Sequence, residues 1–290
     1  MLVSLKEILK MAEERNIAVG SFNTPNLESL CAVLEGAEEL NLPVIIQFAQ
    51  CHESWIPLSV IGPIMVEHAK KATVPVCVHL DHGETLPYLQ EALDMGFTGI
   101  MYDGSVLPYE ENLENTKKAV EMAAKTGAGV EAELGSMGRR ESGIAGDGDT
   151  QGEDETKIYT DPELAAAFVK DTEIDALACS FGTTHGIYLT EPKLDFDVVK
   201  NVRLKTGQIP VVMHGGSGVS KEDFHKAVQA GVRKVNYFTY MDKSGGNAAA
   251  EYAQQIQGKE PVFFSFMLSA AQKAMKENAM EAMKTFAGME

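Results

Sequence analysis

The stretch VHLDHGET, residues 78–85, places His79, Asp81 and His82 at the end of an apolar run. Three ionisable side chains so close together are costly to bury unless they are paired or bind something. Polar residues recur at the ends of the other apolar runs. They are Asn23, Gln47 and His52, Asp103, Glu133, His185, His214 and Asn236. Three neutral imidazoles meeting at one point with a position left open make a catalytic zinc arrangement, and His82, His185 and His214 are the candidates. His52, His68 and His225 read instead as solvated or hydrogen-bonded residues. His79, two residues before Asp81 on an alternating strand, reads as a supporting partner or a direct participant.

The stretch MHGGSGV, residues 213–219, is the second signal. Gly215, Gly216 and Gly218 allow backbone amides to turn inward, and Ser217 adds a hydroxyl. Such a nest between a strand and a helix start binds phosphate. A Lewis-acid metal to polarise a carbonyl, carboxylates to move protons and a phosphate nest suit chemistry on a phosphorylated ketose. Carbon–carbon cleavage beside the carbonyl is a retro-aldol reaction, and enolisation without cleavage is isomerisation or epimerisation. The same parts serve both.

These residues require a scaffold that brings distant segments together. Short apolar runs alternate with helical patterns along the whole chain, beginning at residues 17–22, 43–49, 75–81, 98–103, 129–134, 176–182, 210–218 and 233–239. Continuous apolar runs suit parallel strands buried on both faces. Eight strand–helix units suit a closed (β/α)8 TIM barrel, with extra helices at the termini, in which the strand C-termini converge on one face. A doubly wound sheet is the alternative, weakened because no GxGxxG follows the first strand. No linker, repeat or low-complexity tract divides residues 1–290, so a single domain is expected. Asp161 or Thr160 is expected to cap a helix begun by Pro162. The Gly- and Asp-rich segment 135–157 reads as a lid or binding loop.

The 290 residues carry a formal charge of -17, which argues against nucleic acid, because tracking phosphates needs clustered Lys and Arg. None of the four cysteines forms a CxxC pair, which suits a reduced cytoplasm. The N-terminal MLVSLKEILKMAEERN reads as an amphipathic helix rather than a signal peptide. No run is apolar enough to span a bilayer, so neither membrane nor nucleic acid is an expected partner.

The pieces AVGSFNTPNLESL, VHLDHG, GIMYDGSVLPYEEN, VEAELG, GTTHGIY, VVMHGGSGV and RKVN occur in that order across residues 18–236. Together they resemble the class II, metal-dependent ketose-bisphosphate aldolases of the fructose- and tagatose-bisphosphate type. The resemblance implies a (β/α)8 barrel and a lyase releasing dihydroxyacetone phosphate and an aldehyde. By it His82, His185 and His214 are zinc ligands, and Glu133 and Asp103 are carboxylates near an alternative metal position. Asp81 is implied as the acid/base at the C4 hydroxyl, and Glu141 as the group moving the proton at the ketone phosphate's reacting carbon. Gly186, Gly215, Ser217 and Thr239 match positions for phosphate and a monovalent cation, Na⁺ or K⁺, and Gly216 belongs to the same nest. Asn236 matches a contact to the ketone phosphate moiety and Asn23 a pocket residue. A homodimer or homotetramer is expected by the same analogy.

Two segments depart from the family pattern. QFAQCHESW replaces small residues after the second strand, adding His52, Glu53 and Trp55, and NYFTYM replaces a small, partly acidic stretch after the eighth. No arginine follows Arg233, and Lys273, Lys276 or Lys284 lacks the planar fork suited to a far phosphate. A substrate with one phosphate and a bisphosphate therefore both stay open. So do an isomerase or epimerase on the same barrel and a phosphosugar-binding protein without turnover.

Overall fold

In a computed structural model, which describes residues 1–135, 159–184, 186 and 192–289, the apolar runs form the closed parallel barrel expected for them. Its strands follow one another in chain order: β1 Val19–Asn23, β2 Val44–Ala49, β3 Val76–Gly83, β4 Gly99–Tyr102, β5 Gly129–Leu134, β6 Ala176–Cys179, β7 Val211–Met213 and β8 Val232–Tyr237, with β8 pairing back onto β1. Every strand residue is buried. This is why the runs are apolar throughout rather than alternating.

The helices among the described residues are α1 Leu5–Arg15, α2 Leu27–Leu40, α3 Leu58–Lys71, α4 Leu86–Asp94, α5 Tyr109–Ala124, α6 Pro162–Thr172, α7 Phe196–Lys205, α8 Lys221–Ala230, α9 Thr239–Ile256 and α10 Phe264–Phe286. Their ends follow from the chain. Ser4 and Glu7 make a capping box on α1, which stops at Asn16 in the left-handed region. Asp161, not Thr160, caps α6, accepting from the Glu163 and Leu164 amides at 2.9 Å. Thr160 instead ties two strand ends together, donating to Leu134 O and accepting from Ser180 N. None of these helices is long and apolar enough to cross a membrane.

Apolar packing divides into two clusters. The larger lies between the strands and the outer helices. The smaller joins Leu5, Ile8, Leu9 and Ala12 of α1 to Val19, Ile45, Cys77, Ala176, Ala178 and Val212, so α1 plugs the N-terminal end of the barrel. Below this plug Glu13 accepts from Arg203 at 2.7 Å and from Arg233 at 2.8 Å, tying α1 to α7 and β8. Above it the barrel interior turns polar, and that is where the chemistry-bearing side chains gather. Leu9 is almost wholly buried at the plug, so Leu9→Ala should destabilise the chain by about 2–5 kcal/mol through lost burial and a cavity. Urea unfolding followed by circular dichroism measures this.

Candidate active site

Asp81 and His82 are consecutive, and in a regular strand they would face opposite sides. The backbone of β3 breaks that alternation. His82 takes a left-handed φ of 47°, and the β3–β4 register shifts between Leu80 and Gly83. A Cβ at Gly83 would lie 2.9 Å from Met101 O, so only glycine lets β3 approach β4 there. Strain of this kind survives where surrounding structure imposes it, and it collects at functional sites. The result is that both side chains reach one centre.

His82 Nε2 and His214 Nδ1 face each other at 3.0 Å, with the rings nearly perpendicular at 87°. The opposite nitrogen of each ring meets a carboxylate. His82 Nδ1 lies 2.8 Å from Asp103 Oδ2, and His214 Nε2 lies 2.7 Å from Glu131 Oε1. A carboxylate only accepts, so these nitrogens carry the hydrogens. In the metal-free site the His82 ring, held protonated by the carboxylates around it, donates Nε2–H to the His214 Nδ1 lone pair, and a divalent cation would take the place of that proton and receive a lone pair from each ring. The donor set therefore fits a divalent metal held by imidazole nitrogens and oriented by carboxylates behind them. Ligand atoms of Asp81, His82 and His214 lie within 4.8 Å of one another, as do those of His82, Asp103 and Glu133.

The electrostatics agree with a place made for positive charge. Burial would lower the His82 imidazole, but Asp81, Asp103 and Glu133 push it up to about 10. Burial lowers His214, against the pull of Glu131. Burial would raise the Asp81 carboxyl, yet His82, His214 and Lys234 hold it well below the usual carboxylate range. Three side-chain amides complete its setting. Asn23 and Gln47 each donate to Oδ2 at 3.1 Å, and Asn236 donates to Oδ1 at 3.0 Å. These hydrogen bonds to an ionised acceptor both stabilise the charge and fix its direction.

Beneath this centre lies a fully buried ion pair. Lys234 Nζ is 2.8 Å from Glu131 Oε2 and donates to Asn236 Oδ1 at 2.7 Å. Glu131, held down to about 2 despite its burial, chiefly by Lys234, also has His79 at 3.5 Å. Neither Glu131 nor Lys234 stood out in the sequence, although each lies two residues before an inward-facing candidate, Glu133 or Asn236.

The family model described as fructose-bisphosphate aldolase class-II matches residues 3–289. The chain belongs to that family. A fructose-bisphosphate aldolase of Staphylococcus aureus (strain Mu50 / ATCC 700699) is 38% identical over 288 residues, covering 98% of this chain and 97% of the relative. The crystal structure of the YdjI aldolase from Escherichia coli K12 superposes with a TM-score of 0.83 at 35% identity, covering 99% and 97% of the two chains. A putative fructose-1,6-bisphosphate aldolase from Coccidioides immitis gives a TM-score of 0.82 at 26% identity, covering 97% and 95%.

The enzyme is thus an aldolase, a carbon–carbon lyase. The fold brings Asn23, Asp81, His82, Asp103, Glu133, His214 and Asn236 of this aldolase together at the strand ends, all of them buried. His185 and Glu141 lie outside the described residues, as does nearly all of the expected loop. In the glycine segment Gly215 and Gly218 take left-handed φ values of 66° and 96°, and Ser217 is buried. Gly216 differs from the expectation, because its N–H donates to Asn236 O at 3.1 Å. A Cβ there would lie 2.8 Å from the same oxygen, so Gly216 serves close packing of β7 against β8. Gly186 takes φ 93°, and Thr239 opens α9. His68 and His225 stay apart from this centre: His68 bonds Ile64 O, and His225 is exposed on α8.

Asp103 Oδ2 is the group that sets the tautomer of His82, and its Oδ1 is itself held by Ser105 Oγ at 2.7 Å. Asp103→Asn should weaken divalent-metal binding about 10–100-fold. Competition with a chromophoric chelator reads this directly.

Proposed function

We propose that the chain is a zinc-dependent aldolase that reversibly cleaves a ketose 1-phosphate or 1,6-bisphosphate into dihydroxyacetone phosphate and an aldehyde. The observation that carries this reading is the pair of facing nitrogens on His82 and His214, with an ionised carboxylate, Asp81, within ligand distance of both. His82, His214 and, by the resemblance, His185 would hold a zinc ion, which would supply a Lewis acid for the ketone carbonyl.

Asp81 accepts the proton of the C4 hydroxyl. The O–H electrons form the aldehyde carbonyl, the C3–C4 bond breaks, and its electron pair moves toward the ketone end. Glu141, by the resemblance, returns a proton to C3, and the reverse sequence builds the bond. A general base must be ionised and aimed before substrate arrives. The amides of Asn23, Gln47 and Asn236 aim the Asp81 carboxylate, and its lowered pKa keeps it ionised at neutral pH. The turn Gly215–Ser217–Gly218, beside the start of α9 at Thr239, suits the phosphate of the ketone half.

The test is a coupled assay for dihydroxyacetone phosphate released from fructose 1,6-bisphosphate, tagatose 1,6-bisphosphate and fructose 1-phosphate, with zinc and after chelation. Release that chelation abolishes supports the reading. Conversion of a ketose phosphate without release favours the isomerase alternative. Asp81→Asn should lower cleavage by about 10²–10⁴-fold while zinc remains bound. Unchanged cleavage would remove Asp81 from the acid/base role.

A further inference from the structure

Between β2 and α3 the chain turns through a short 3-10 helix, Gln50–Ser54, and this turn carries residues that the chemistry above leaves unused. His52 is only 5% exposed. Its ring stacks on Trp55 at 4.6 Å and 21°, and tilts against Phe238 at 5.0 Å. Phe48 meets it edge-on from the strand at 6.1 Å. Trp55 and Phe238 are 6.4 Å apart, so segments following β2 and β8 form one aromatic wall.

The wall has a definite place. Strands β2 and β8 flank β1, and they supply Gln47 and Asn236, two of the amides that hold Asp81. The Asp81 charge reaches His52. The wall therefore borders the Asp81 side of the site, which faces the C4 hydroxyl and the aldehyde half of the substrate. Trp55 remains 65% exposed although stacked. His52 Nδ1 is buried without a hydrogen-bond partner among the described residues. Folding gains little from a solvent-facing tryptophan, and an exposed ring on a buried aromatic layer suits a ligand.

Charge narrows the ligand. The segments 23–40, 47–57, 81–95 and 236–242, at and after the ends of β1, β2, β3 and β8, contain no Lys or Arg; the next basic residue, Lys243, lies over the Tyr240 ring at 5.6 Å, engaged with that aromatic face. They do carry carboxylates. Glu53 accepts from the Leu58 amide and the Tyr88 hydroxyl, and Glu84 follows Gly83 with its amide on Gln50 Oε1 at 2.9 Å. Burial pushes the His52 imidazole down to about 4, leaving a neutral ring with one donor and one acceptor. A phosphate dianion asks for Arg or Lys. A hydroxylated carbon chain asks for flat apolar faces for its C–H groups, which this wall provides, and for acceptors for its hydroxyls, which the exposed carboxylate of Glu53 beside His52 in the chain offers.

We propose that His52, Trp55 and Phe238 form the subsite for the aldehyde half and select a ketose 1-phosphate whose far end is an uncharged polyol chain rather than a second phosphate. This rests on the aldolase reading above. In the condensation direction the wall receives the free aldehyde, which allows the two halves to be varied separately.

The experiment uses the zinc-loaded full chain with dihydroxyacetone phosphate, and either D-glyceraldehyde or D-glyceraldehyde 3-phosphate as acceptor. The unsubstituted enzyme should favour the uncharged aldehyde in kcat/KM by about tenfold or more. Trp55→Ala and Phe238→Ala should each erase about tenfold of that preference, the size of a lost ring contact. The loss should fall on the KM of the aldehyde rather than of dihydroxyacetone phosphate. Preference for the phosphorylated aldehyde, or variants that keep the original ratio, would overturn the subsite. Deuterium exchange into dihydroxyacetone phosphate without any aldehyde separates the two levels. Exchange with no such preference sinks the wall alone, whereas no exchange in the unsubstituted enzyme sinks the aldolase reading and the wall with it.

Discussion

Lys234 and Glu131 meet at 2.8 Å in the middle of the barrel with no exposure of either side chain. Removing two charges from water is expensive, and such a pair persists only when further hydrogen bonds satisfy what remains of each group. Here those further bonds are the site itself. Glu131 fixes His214, whose other ring nitrogen meets His82, which is fixed in turn by Asp103. Lys234 fixes Asn236, which holds Asp81. One buried pair thus sets the orientation of an imidazole on β7 and of a carboxylate on β3.

This arrangement explains the two-tiered interior. The lower tier is apolar and closed by α1, which excludes water from the end where no chemistry occurs. The upper tier is polar, and the hydrogen bonds among Asn23, Gln47, Asp81, His82, Asp103, Glu131, His214, Lys234 and Asn236 orient its side chains at the strand ends. Preorganised donors and acceptors have no reorganisation to undergo when charge develops. The left-handed His82 and the irregular β3–β4 register are the local cost of bringing two consecutive residues to one centre. The same irregularity divides the site: imidazoles and the glycine turn lie toward β7, and Asp81, its amides and the aromatic wall lie toward β8, β1 and β2.

The barrel was legible because its strands are buried on both faces. Eight apolar runs with helical patterns between them leave few other folds, and the structural strand bounds differ from the runs by only a few residues. Asn23, Asp81, His82, Asp103, Glu133, His214 and Asn236 stood out because a polar residue ending an apolar run is conspicuous. Glu131 and Lys234 did not, because they lie inside the runs, where one charged residue is indistinguishable from a solvated one until its partner is known. Glu131 is separated from Lys234 by about a hundred residues of chain. In sequence His52 resembles an ordinary solvated or hydrogen-bonded histidine; its burial comes from Trp55 and Phe238, and Phe238 arrives from the far end of the chain.

The strand–helix alternation, the residues that cap helices and the positions where polar atoms emerge are written in the chain's local pattern. These depend on neighbours within a turn or two, and local pattern carries them. Which imidazole nitrogens face each other, which amides hold Asp81, and that the Gly216 amide bonds Asn236 O on β8 emerge only in three dimensions. Those outcomes depend on closing the barrel, because closure brings β8 beside β1 and sets across the interior groups that the chain keeps far apart.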